Sequence, residues 1–360
     1  MCFLLILTIN PGSTSTKVAL FDNSKELLRE VLRYSNEQIE QYNCITDQLS
    51  FRIESIYEFI KQNNVDTSKI EAVVGRGGLL NPMPSGTYNI NDLMKEHLKI
   101  GVQGEHASNL GGLMASSLAE QWQTKAYIVD PVAVDEMIDE ARISGIPQLK
   151  RKCLSHALNI KAVSHRFAND VNAKLANINL VIAHLGGGIS VVPLKQGKII
   201  DVNNANDMGP FSPERAGTVP AGDLVKLCFS GEYNNAKEIT KELNKKSGLI
   251  GYLGTNDLRE VEKMIKNGNE NANKVWHSMC YQIVKEIGRM LTVLHGEAKA
   301  IILTGGLAYS KQLTNEIAEY LNSFAIPIRI YPGEDELIAL AEGAYRVLSG
   351  QEQAKEYTFK

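Results

Sequence analysis

The sequence lacks the excess of positive charge that is typical of proteins bound to nucleic acid. Its 38 lysine and arginine residues are balanced by 41 aspartate and glutamate residues, which gives a formal net charge of −3. Nucleic-acid backbones are bound mainly through clustered basic side chains. We therefore expect no nucleic-acid partner for this chain.

Cysteine is also scarce, and its spacing excludes two common uses of this residue. The five cysteines form no CxxC pair and no Cys/His spacing of a zinc site; they are Cys2, Cys44, Cys153, Cys228 and Cys280. A few scattered cysteines in a chain of this length are typical of reduced thiols. The sequence therefore predicts a cytoplasmic protein without disulfides.

Apolar runs of membrane length are absent as well. Residues 2–9 are apolar, but no basic segment precedes them, and Asn10-Pro11-Gly12 ends the run. A helix that spans a bilayer needs about 20 apolar residues. We interpret residues 2–9 as a buried first strand, and we expect neither a targeting signal nor a membrane partner.

What the sequence does contain is an alternation of strand and helix patterns over 360 residues, a length that suits two domains. Apolar runs rich in β-branched residues predict strands at 3–9, 17–22, 70–74, 126–129, 179–184, 189–193, 198–202, 300–304 and 327–331. Helical periodicity predicts helices at 49–62, 271–295 and 335–349. This alternation predicts an α/β fold with mixed or parallel sheets.

Two pairs of segments indicate an internal duplication. Residues 5–20 and 180–193 each read as a strand, a short Gly/Ser loop and a second strand, and further strand-like residues follow both. Residues 70–78 and 300–306 each run from a strand into a pair of glycines. Hairpins with glycine loops are common, so chance is the alternative, but the repeated order favours two similar domains around a nucleotide cleft. We expect residues 1–148 with 334–360 to form one domain and residues 149–333 the other.

Two loops are candidates for binding phosphate, although the Walker A spacing is absent. Residues 10–17 (NPGSTSTK) carry four hydroxyl groups and an ammonium group on a turn, and the alternative is an exposed Ser/Thr turn. Residues 184–190 (HLGGGIS) hold Gly186, Gly187 and Gly188 in succession, more glycine than a structural turn requires. A third glycine turn, Gly305-Gly306-Leu307, is a further candidate, but an ordinary strand-to-helix connection explains it nearly as well as a ligand site does.

Several charged or ionisable residues lie next to predicted loops. Asp130 ends a strand, where acids often face the crevice of α/β folds, and its alternative is a turn residue. Arg76 between glycines and Arg215 in a Pro/Gly-rich loop suit an anion, but each also fits a surface ion pair. His106 and His156 lie in small, polar surroundings and are either buried neutral histidines or donors to a phosphoryl oxygen. Residues 334–336 (EDE) precede the last helix, where acids favour the helix dipole; holding Mg²⁺ would require that helix to face the cleft.

Nine short motifs occur along the chain in an order that resembles one protein family. They are NPGSTSTK, VVGRGG, EHASN, the strand ending at Asp130, HLGGGIS, SPERAGTVPAGD, GTNDLREVE, LTGGLAYS and EDELIALAEGAYRVL. Together they resemble the acetate/butyrate kinase family of the sugar kinase, actin and Hsp70 ATPase superfamily, over essentially the whole chain. The resemblance implies two duplicated, ribonuclease H-like domains, and the chain length and the SPER…GTVPAGD segment resemble the butyrate-directed members more than the acetate-directed ones.

The resemblance also implies roles for residues. Phosphate and nucleotide contacts match Asn10, Ser13, Ser15, Lys17, His184, Gly186, Gly187, Gly188, Asp257, Leu258, Arg259, Gly305, Gly306 and Leu307. Metal-associated groups match Asn10, Asp130 and Glu336, and His156 matches a histidine that contacts the transferred phosphoryl group. In acetate kinases an arginine precedes the strand end before the first glycine pair, whereas Arg76 lies closer to the glycines. Val219 stands where acetate kinases have a second arginine, and the resemblance implies that Arg215 takes that role. Ser155 replaces a phenylalanine, which leaves room for a longer acyl chain, and we place it with His106 in the acid pocket.

The reaction that the resemblance implies is reversible phosphoryl transfer from ATP, with Mg²⁺, to a short-chain fatty acid, with butyrate favoured. A carboxylate, with a pKa of about 4–5, is ionised at neutral pH and needs no base. Catalysis then requires that the acid and the γ-phosphoryl group be held in line and that the negative charge of the transition state be neutralised. The residues expected to contribute are Arg76, His156, Arg215 and Asp130. Alternatives are an acetate, propionate or branched-acid kinase, a hydroxyl-directed kinase, or a nucleotide-dependent switch. Members of this family are at least dimeric, so we expect a homodimer or a larger homo-oligomer.

Overall fold

The structure, a computed structural model, describes residues 4–359. Cys2 and the first residue of the predicted strand 3–9 lie outside the described residues. The strands are β1 Leu5–Pro11, β2 Ser15–Asp22, β3 Lys25–Arg33, β4 Ile70–Arg76, β5 Thr87–Asn89, β6 Lys125–Val129, β7 Leu180–Leu185, β8 Ile189–Lys195, β9 Lys198–Ile199, β10 Ala300–Gly305, β11 Ile328–Pro332 and β12 Lys355–Glu356.

The helices lie between these strands. They are α1 Asn36–Glu40, α2 Leu49–Gln62, α3 Asp92–Ile100, α4 Asn109–Trp122, α5 Asp139–Arg142, α6 Ala157–Asp170, α7 Ala221–Cys228, α8 Ala236–Lys245, α9 Gly248–Leu253, α10 Leu258–Lys266, α11 Glu270–Val293, α12 Lys311–Leu321 and α13 Glu336–Leu348. Short 3₁₀ helices occupy Ile45–Gln48, Thr67–Lys69, Leu175–Asn177, Gly306–Tyr309 and Asn322–Phe324. The α/β fold class predicted from the sequence is confirmed.

The chain divides into two compact units. The first comprises the described residues up to Asp135, Ala157–Ala162, and the residues from Asp335 onward; the second comprises Glu136–His156 and Val163–Glu334. The predicted boundary at residue 148 differs from this division. The Ile199 N–H donates to Glu136 Oε2 at 2.9 Å and the Ile138 N–H to the Ile200 carbonyl at 3.1 Å, which ties residues 136–148 to the second unit.

The two units contain sheets of the same design. The first sheet has the strand order β12-β5-β6-β4-β1-β2-β3, and the second has the order β11-β10-β7-β8-β9. In each, an antiparallel meander (β1 to β3, or β7 to β9) continues into two parallel strands (β4 and β6, or β10 and β11). The repeated hairpin and glycine-turn segments of the sequence thus occupy equivalent places in two similar sheets.

Both faces of the first sheet are covered. Leu7 and Leu20 pack with α2 and α4 on one face, while Ile6 and Phe21 pack with α13 on the other. Because neighbouring residues of a strand point to opposite faces, a strand buried on both sides reads as a continuous apolar run, as residues 2–9 do. In the second unit, one core cluster surrounds Trp276 of α11, which is fully buried.

Two predicted elements end earlier than their sequence patterns suggest. The predicted strand 198–202 stops at Ile199, and beyond it Asp201 forms an ion pair with Arg151 at 2.8 Å. The predicted helix 271–295 stops at Val293, because His295 adopts a left-handed φ of 54°. Within residues 4–359, no helix has both the length and the apolar character needed to cross a membrane.

Candidate functional site

The first candidate loop joins β1 to β2 in the first unit. The Gly12 N–H donates to the Ser15 carbonyl at 2.7 Å and closes the turn. Ser13 and Lys17 are exposed, Ser15 is partly exposed, and Asn10 is buried at the base of the loop. The polar groups of NPGSTSTK therefore stand on a tight turn, as expected from the sequence.

A buried arginine that the sequence analysis did not single out holds this loop from behind. Arg52 of α2 is 1% exposed. Its Nη1 donates to the carbonyls of Gly12 at 2.8 Å and Ser15 at 3.1 Å, and its Nη2 donates to the carbonyl of Ser13 at 2.8 Å. The guanidinium also lies 4.9 Å from the ring centroid of Tyr34. Burial lowers the pKa of Arg52, although an arginine keeps its charge in proteins.

The beginning of α13 brings three predicted residues together in the first unit. Glu336 accepts hydrogen bonds from Asn10 Nδ2 and from Arg76 Nη1. Asp335 caps the helix by accepting from the Ile338 N–H at 3.3 Å. The Nε of Arg76 is buried and has no hydrogen-bond partner among the residues that the structure describes. An amide, a carboxylate and a guanidinium thus meet beside the first loop.

Asp130 and the first glycine pair have partners within the protein. Asp130 directly follows β6 with a left-handed φ of 39°, and its Oδ1 accepts from the Gly86 N–H at 2.7 Å. A side chain on Gly77 would overlap Pro131, and one on Gly78 would overlap Asn109. Packing within the protein therefore explains this glycine pair.

His106 lies near Arg76, and its environment is that of a neutral imidazole. Its Nδ1 is 2.7 Å from Ser108 Oγ. Partial burial and the positive charge of Arg76 lower the pKa of His106. A neutral ring can accept or donate one hydrogen bond without adding charge.

In the second unit, the end of β7 carries a pair of stacked histidines. His156, at the start of α6, stacks on His184 with ring centroids 3.8 Å apart and planes inclined by 8°. The His156 Nδ1 is 3.0 Å from Ser190 Oγ, and the His184 Nε2 is 3.3 Å from Glu334 Oε2. The two predicted histidines are therefore held in fixed orientations by each other and by polar neighbours.

The glycine loop after His184 receives the side chain of Arg215. A Cβ on Gly188 would lie 2.6 Å from Arg215 Cζ and 3.0 Å from its Nε. Gly188 is thus required for the close approach of the guanidinium, while Gly186 has the His184 ring beside it. The loop is further held by Ser212, whose Oγ donates to the Gly187 carbonyl at 2.5 Å.

Arg215 is a half-buried cation without an anion. Among residues 4–359, no group accepts a hydrogen bond from its guanidinium, and its Nε is fully buried. The adjacent carboxylate of Glu214 is occupied elsewhere, by Asn256 Nδ2 at 2.9 Å and Lys245 Nζ at 3.5 Å. Burial lowers the pKa of Arg215, and the nearby charge of Glu214 opposes that effect. Ser155 Oγ is likewise buried without a hydrogen-bond partner in the described part of the chain.

Two segments predicted to contact the nucleotide, residues 257–259 and 305–307, meet in the second unit, but not every side chain faces outward. Asp257 caps α10 and pairs with the exposed Arg259 at 2.6 Å, which lowers the pKa of Asp257 to about 2. Leu258 is buried in the core. Ser310 Oγ, just after the turn at Gly306 and Leu307, donates to Glu262 Oε1 of α10 at 2.5 Å.

The second glycine pair divides into a structural and an open position. Gly305 has a φ of 88°, and a side chain there would overlap Leu185. It also exchanges two backbone hydrogen bonds with Gly333. No atom lies within 4 Å of a Cβ placed on Gly306, so only this glycine leaves space beside the turn.

Comparison with known sequences identifies the family. The sequence profile of the Acetokinase family matches residues 147–340. Butyrate kinase 2 of Clostridium acetobutylicum is 54% identical over 353 residues, which are 98% of this chain and 99% of that protein. The chain belongs to the acetokinase family.

Solved structures of lower identity agree with this fold. The acetate kinase of Porphyromonas gingivalis aligns with a TM-score of 0.79 at 20% identity, covering 96% of this chain and all of that one. A propionate kinase of Francisella tularensis aligns with a TM-score of 0.74 at 20% identity, covering 94% and 98% of the two chains. The two-domain α/β fold that the family resemblance implies is confirmed.

In this acetokinase family member, two functional candidates escaped the sequence analysis. Arg52 occupies the apolar stripe that Leu49, Ile53 and Ile56 form on α2, and a charge on such a stripe is a signal that could have been read. Glu334 was considered, with Asp335 and Glu336, for the helix dipole or for Mg²⁺, but in the structure it faces His184. No sequence pattern relates Glu334 to His184, which lies 150 positions earlier in the chain. Their contact depends on the sheet, in which β10 pairs with both β7 and β11.

Proposed function

We propose that this chain transfers the γ-phosphoryl group of ATP to the carboxylate of a short-chain fatty acid, with butyrate as the favoured acid. A carboxylate oxygen forms a bond to the γ-phosphorus, the bond from that phosphorus to the β–γ bridging oxygen breaks, and ADP leaves with the electron pair. The products are an acyl phosphate and ADP, and the reaction runs in both directions. The names of the relatives and the ordered motifs support this reaction.

The observation that carries the proposal is the unpaired guanidinium of Arg215. Burying a cation without a partner is costly, so such a group is typical of a site that receives an anion. The fork of an arginine matches the geometry of a phosphoryl or carboxylate group. Arg215 lies against Gly188, in the same loop that begins at His184, so a phosphoryl group bound there would meet charge and backbone N–H groups together.

We assign the stacked histidines to the transferred group. His156 would donate to a phosphoryl oxygen, with its ring held by the stack on His184 and by Ser190 Oγ. The ring orientation is then fixed before the substrate binds, which avoids an entropic cost in the transition state. Gly186, Gly187 and Gly188 would offer backbone donors to the nucleotide phosphates.

The first unit offers ligands for the divalent metal that accompanies ATP. Asn10 and Glu336 carry oxygen atoms of the hard type that Mg²⁺ prefers, and Glu336 already contacts both Asn10 and Arg76. Bound Mg²⁺ would neutralise phosphate charge. Arg76 would hold the Glu336 carboxylate in place before the metal binds. The metal role of Asp130 stays a prediction, because one of its oxygens serves the Gly86 turn.

The acid needs a pocket but no general base. A carboxylate with a pKa of about 4–5 is ionised at neutral pH and can attack directly. We propose that Ser155, which stands in place of the larger residue found in acetate kinases, leaves room for the acyl chain, and the role of His106 in binding the acid stays a prediction. The cytoplasmic location and a homodimeric or larger assembly also stay predictions.

The test is acid-dependent ADP formation from Mg-ATP, with hydroxylamine to trap the acyl phosphate. Straight and branched acids of two to five carbons are compared. We expect hydroxamate formation with a maximum at four carbons. A maximum at acetate would keep the chemistry and contradict the pocket. Absence of hydroxamate with every acid, and of ATP formation from acyl phosphates, would contradict the proposed function.

A further inference from the structure

We propose that Arg52 is a positioning residue for catalysis, which turns the backbone N–H groups of Ser13 and Thr14 toward the phosphoryl group. This inference rests on the proposed function and on the expectation from the family resemblance that Ser13, Ser15 and Lys17 of the first loop contact phosphate. It concerns a side chain that faces the back of that loop and does not touch the substrate. Arg52 therefore acts through the backbone of residues 12–16.

The contacts of Arg52 are aimed at carbonyl groups. The guanidinium reaches the carbonyls of Gly12, Ser13 and Ser15, together with Thr16 Oγ1 at 3.1 Å. Its other donors are fixed by Gln48 Oε1, which accepts from Nε at 3.1 Å and from Nη2 at 2.8 Å. One planar fork thus gathers three carbonyl oxygens of a single turn.

Because the peptide group is planar, the hydrogen bonds of Arg52 to the carbonyls also fix the directions of the N–H groups of Ser13 and Thr14. In a trans peptide, the C=O and the N–H of the following residue point in opposite directions. With the carbonyls of Gly12 and Ser13 directed at Arg52, the N–H groups of Ser13 and Thr14 must point away from it. Neither N–H has an acceptor among residues 4–359, and both residues are exposed. Two adjacent, unsatisfied and aligned donors form an anion-binding arrangement.

The charge of Arg52 acts in the same direction. It forms no ion pair with any acid in the described part of the chain; its neighbours are carbonyls, a hydroxyl, an amide and the Tyr34 ring. A buried positive charge without a counter-ion polarises the peptide groups between itself and an anion on the other side of the loop. Structural burial alone would not require an arginine at this place, since the surrounding stripe of α2 is apolar.

The experiment compares Arg52→Lys and Arg52→Met with the matched control Arg346→Met. Arg346 is another largely buried arginine of the first unit, with its Nε 2.9 Å from Glu352 Oε1, and it has no assigned role. Two quantities are measured for each variant. The first is hydrogen exchange of the amides of Gly12 and Tyr34, which donate within the loop to Ser15 and Thr14 at 2.7 Å and 3.0 Å. The second is the separation of kcat from the KM values for ATP and the acid.

We expect both Arg52 variants to raise exchange at these two amides and to lower kcat by about 10- to 100-fold, the loss that a displacement near 1 Å brings. The KM for the acid should change by less than about threefold, and Arg346→Met should leave exchange and kcat near those of the unchanged protein. Arg52→Lys covers the case in which Arg52→Met does not fold, because it keeps the charge and loses only the fork.

Either of two other combinations of exchange rate and kcat would contradict the inference. Unchanged exchange with a reduced kcat would show that Arg52 does not act by ordering the loop. Faster exchange with an unchanged kcat would show that the loop orientation does not matter to the reaction. If the unchanged protein forms no acyl hydroxamate, the proposed function fails by itself, while the exchange result still decides whether Arg52 orders the loop.

Discussion

Adding one methyl group at Gly188 should disable the enzyme by moving a single guanidinium. The new Cβ would lie 2.6 Å from Arg215 Cζ, whereas carbon atoms in contact are separated by about 3.5–4.0 Å. The guanidinium must therefore shift by about 1 Å, and such a displacement of a catalytic group costs about 100-fold in rate. Because the shifted group is the end of a flexible side chain, we expect Gly188→Ala to lower kcat with little change in thermal stability.

The matched control is Gly288→Ala in α11. No atom lies within 4 Å of a Cβ placed there, and the glycine is helical. Alanine in a helix interior is about 0.5–1 kcal/mol more favourable than glycine, so this variant should keep its activity and melt slightly higher. Activity is followed by hydroxamate formation, and stability by thermal unfolding.

A double-mutant cycle decides whether Gly188 acts through Arg215. Arg215→Lys keeps the charge but loses the fork, and we expect it also to lower kcat. If the effect of Gly188→Ala is transmitted through the guanidinium, adding it to Arg215→Lys should cost little more, since interacting positions are not additive. Fully additive losses in the double variant would refute this reasoning and would place the role of Gly188 in the loop itself.

Three further predictions concern the metal, the pH and the thiols. Glu336→Gln should raise the Mg²⁺ concentration for half-maximal rate by about tenfold, since changes around metal sites commonly cost about 10- to 100-fold in affinity; an unchanged Mg²⁺ titration would contradict the assignment. Burial raises the pKa of Glu286 above its usual 4.5, so the folded state binds that proton more tightly and stability falls as the pH rises above 4.5. Glu286→Gln should therefore increase the melting temperature at pH 7.5, with a gain that disappears as the pH falls toward 4.5; a gain equal at both pH values would contradict the cause. Burial and the charge of Glu316 raise the pKa of the Cys280 thiol, so at pH 8 a thiol reagent should label the exposed Cys228 and leave Cys280 unlabelled until the protein unfolds, as mass mapping would show.

The regular elements were readable from the sequence because their signals are local. The stripe of Leu49, Ile53, Ile56 and Ile60 gave α2 at its observed bounds. The apolar run at the start of the chain gave the central strand β1, since a strand buried on both faces needs apolar residues in succession. The short strands β5 and β12 were missed, because two or three residues carry no measurable period.

The candidate site was predicted as a set of residues but not as a set of contacts. The sequence indicated Asn10, Arg76 and Glu336 separately, and only the packing of α13 beside β1 and β4 joined them. The glycine motifs were visible in the sequence as well, but the neighbouring groups that require a glycine differ from one motif to the other. Gly77 and Gly78 make room for Pro131 and Asn109, while Gly188 makes room for Arg215.

The sequence by itself determined the fold class, the duplication and the order of the phosphate-loop motifs, because periodicity and short motifs depend on residues that are neighbours along the chain. Only the tertiary structure decided that Arg52 holds the first loop, that Arg215 lacks an anion and that His156 stacks on His184. Arg52 and Ser13 are 39 positions apart, His156 and His184 are 28 apart, and Arg215 lies against Gly188, 27 positions away. Such pairs are brought together by sheet pairing and helix packing, and no local pattern encodes which of them will meet.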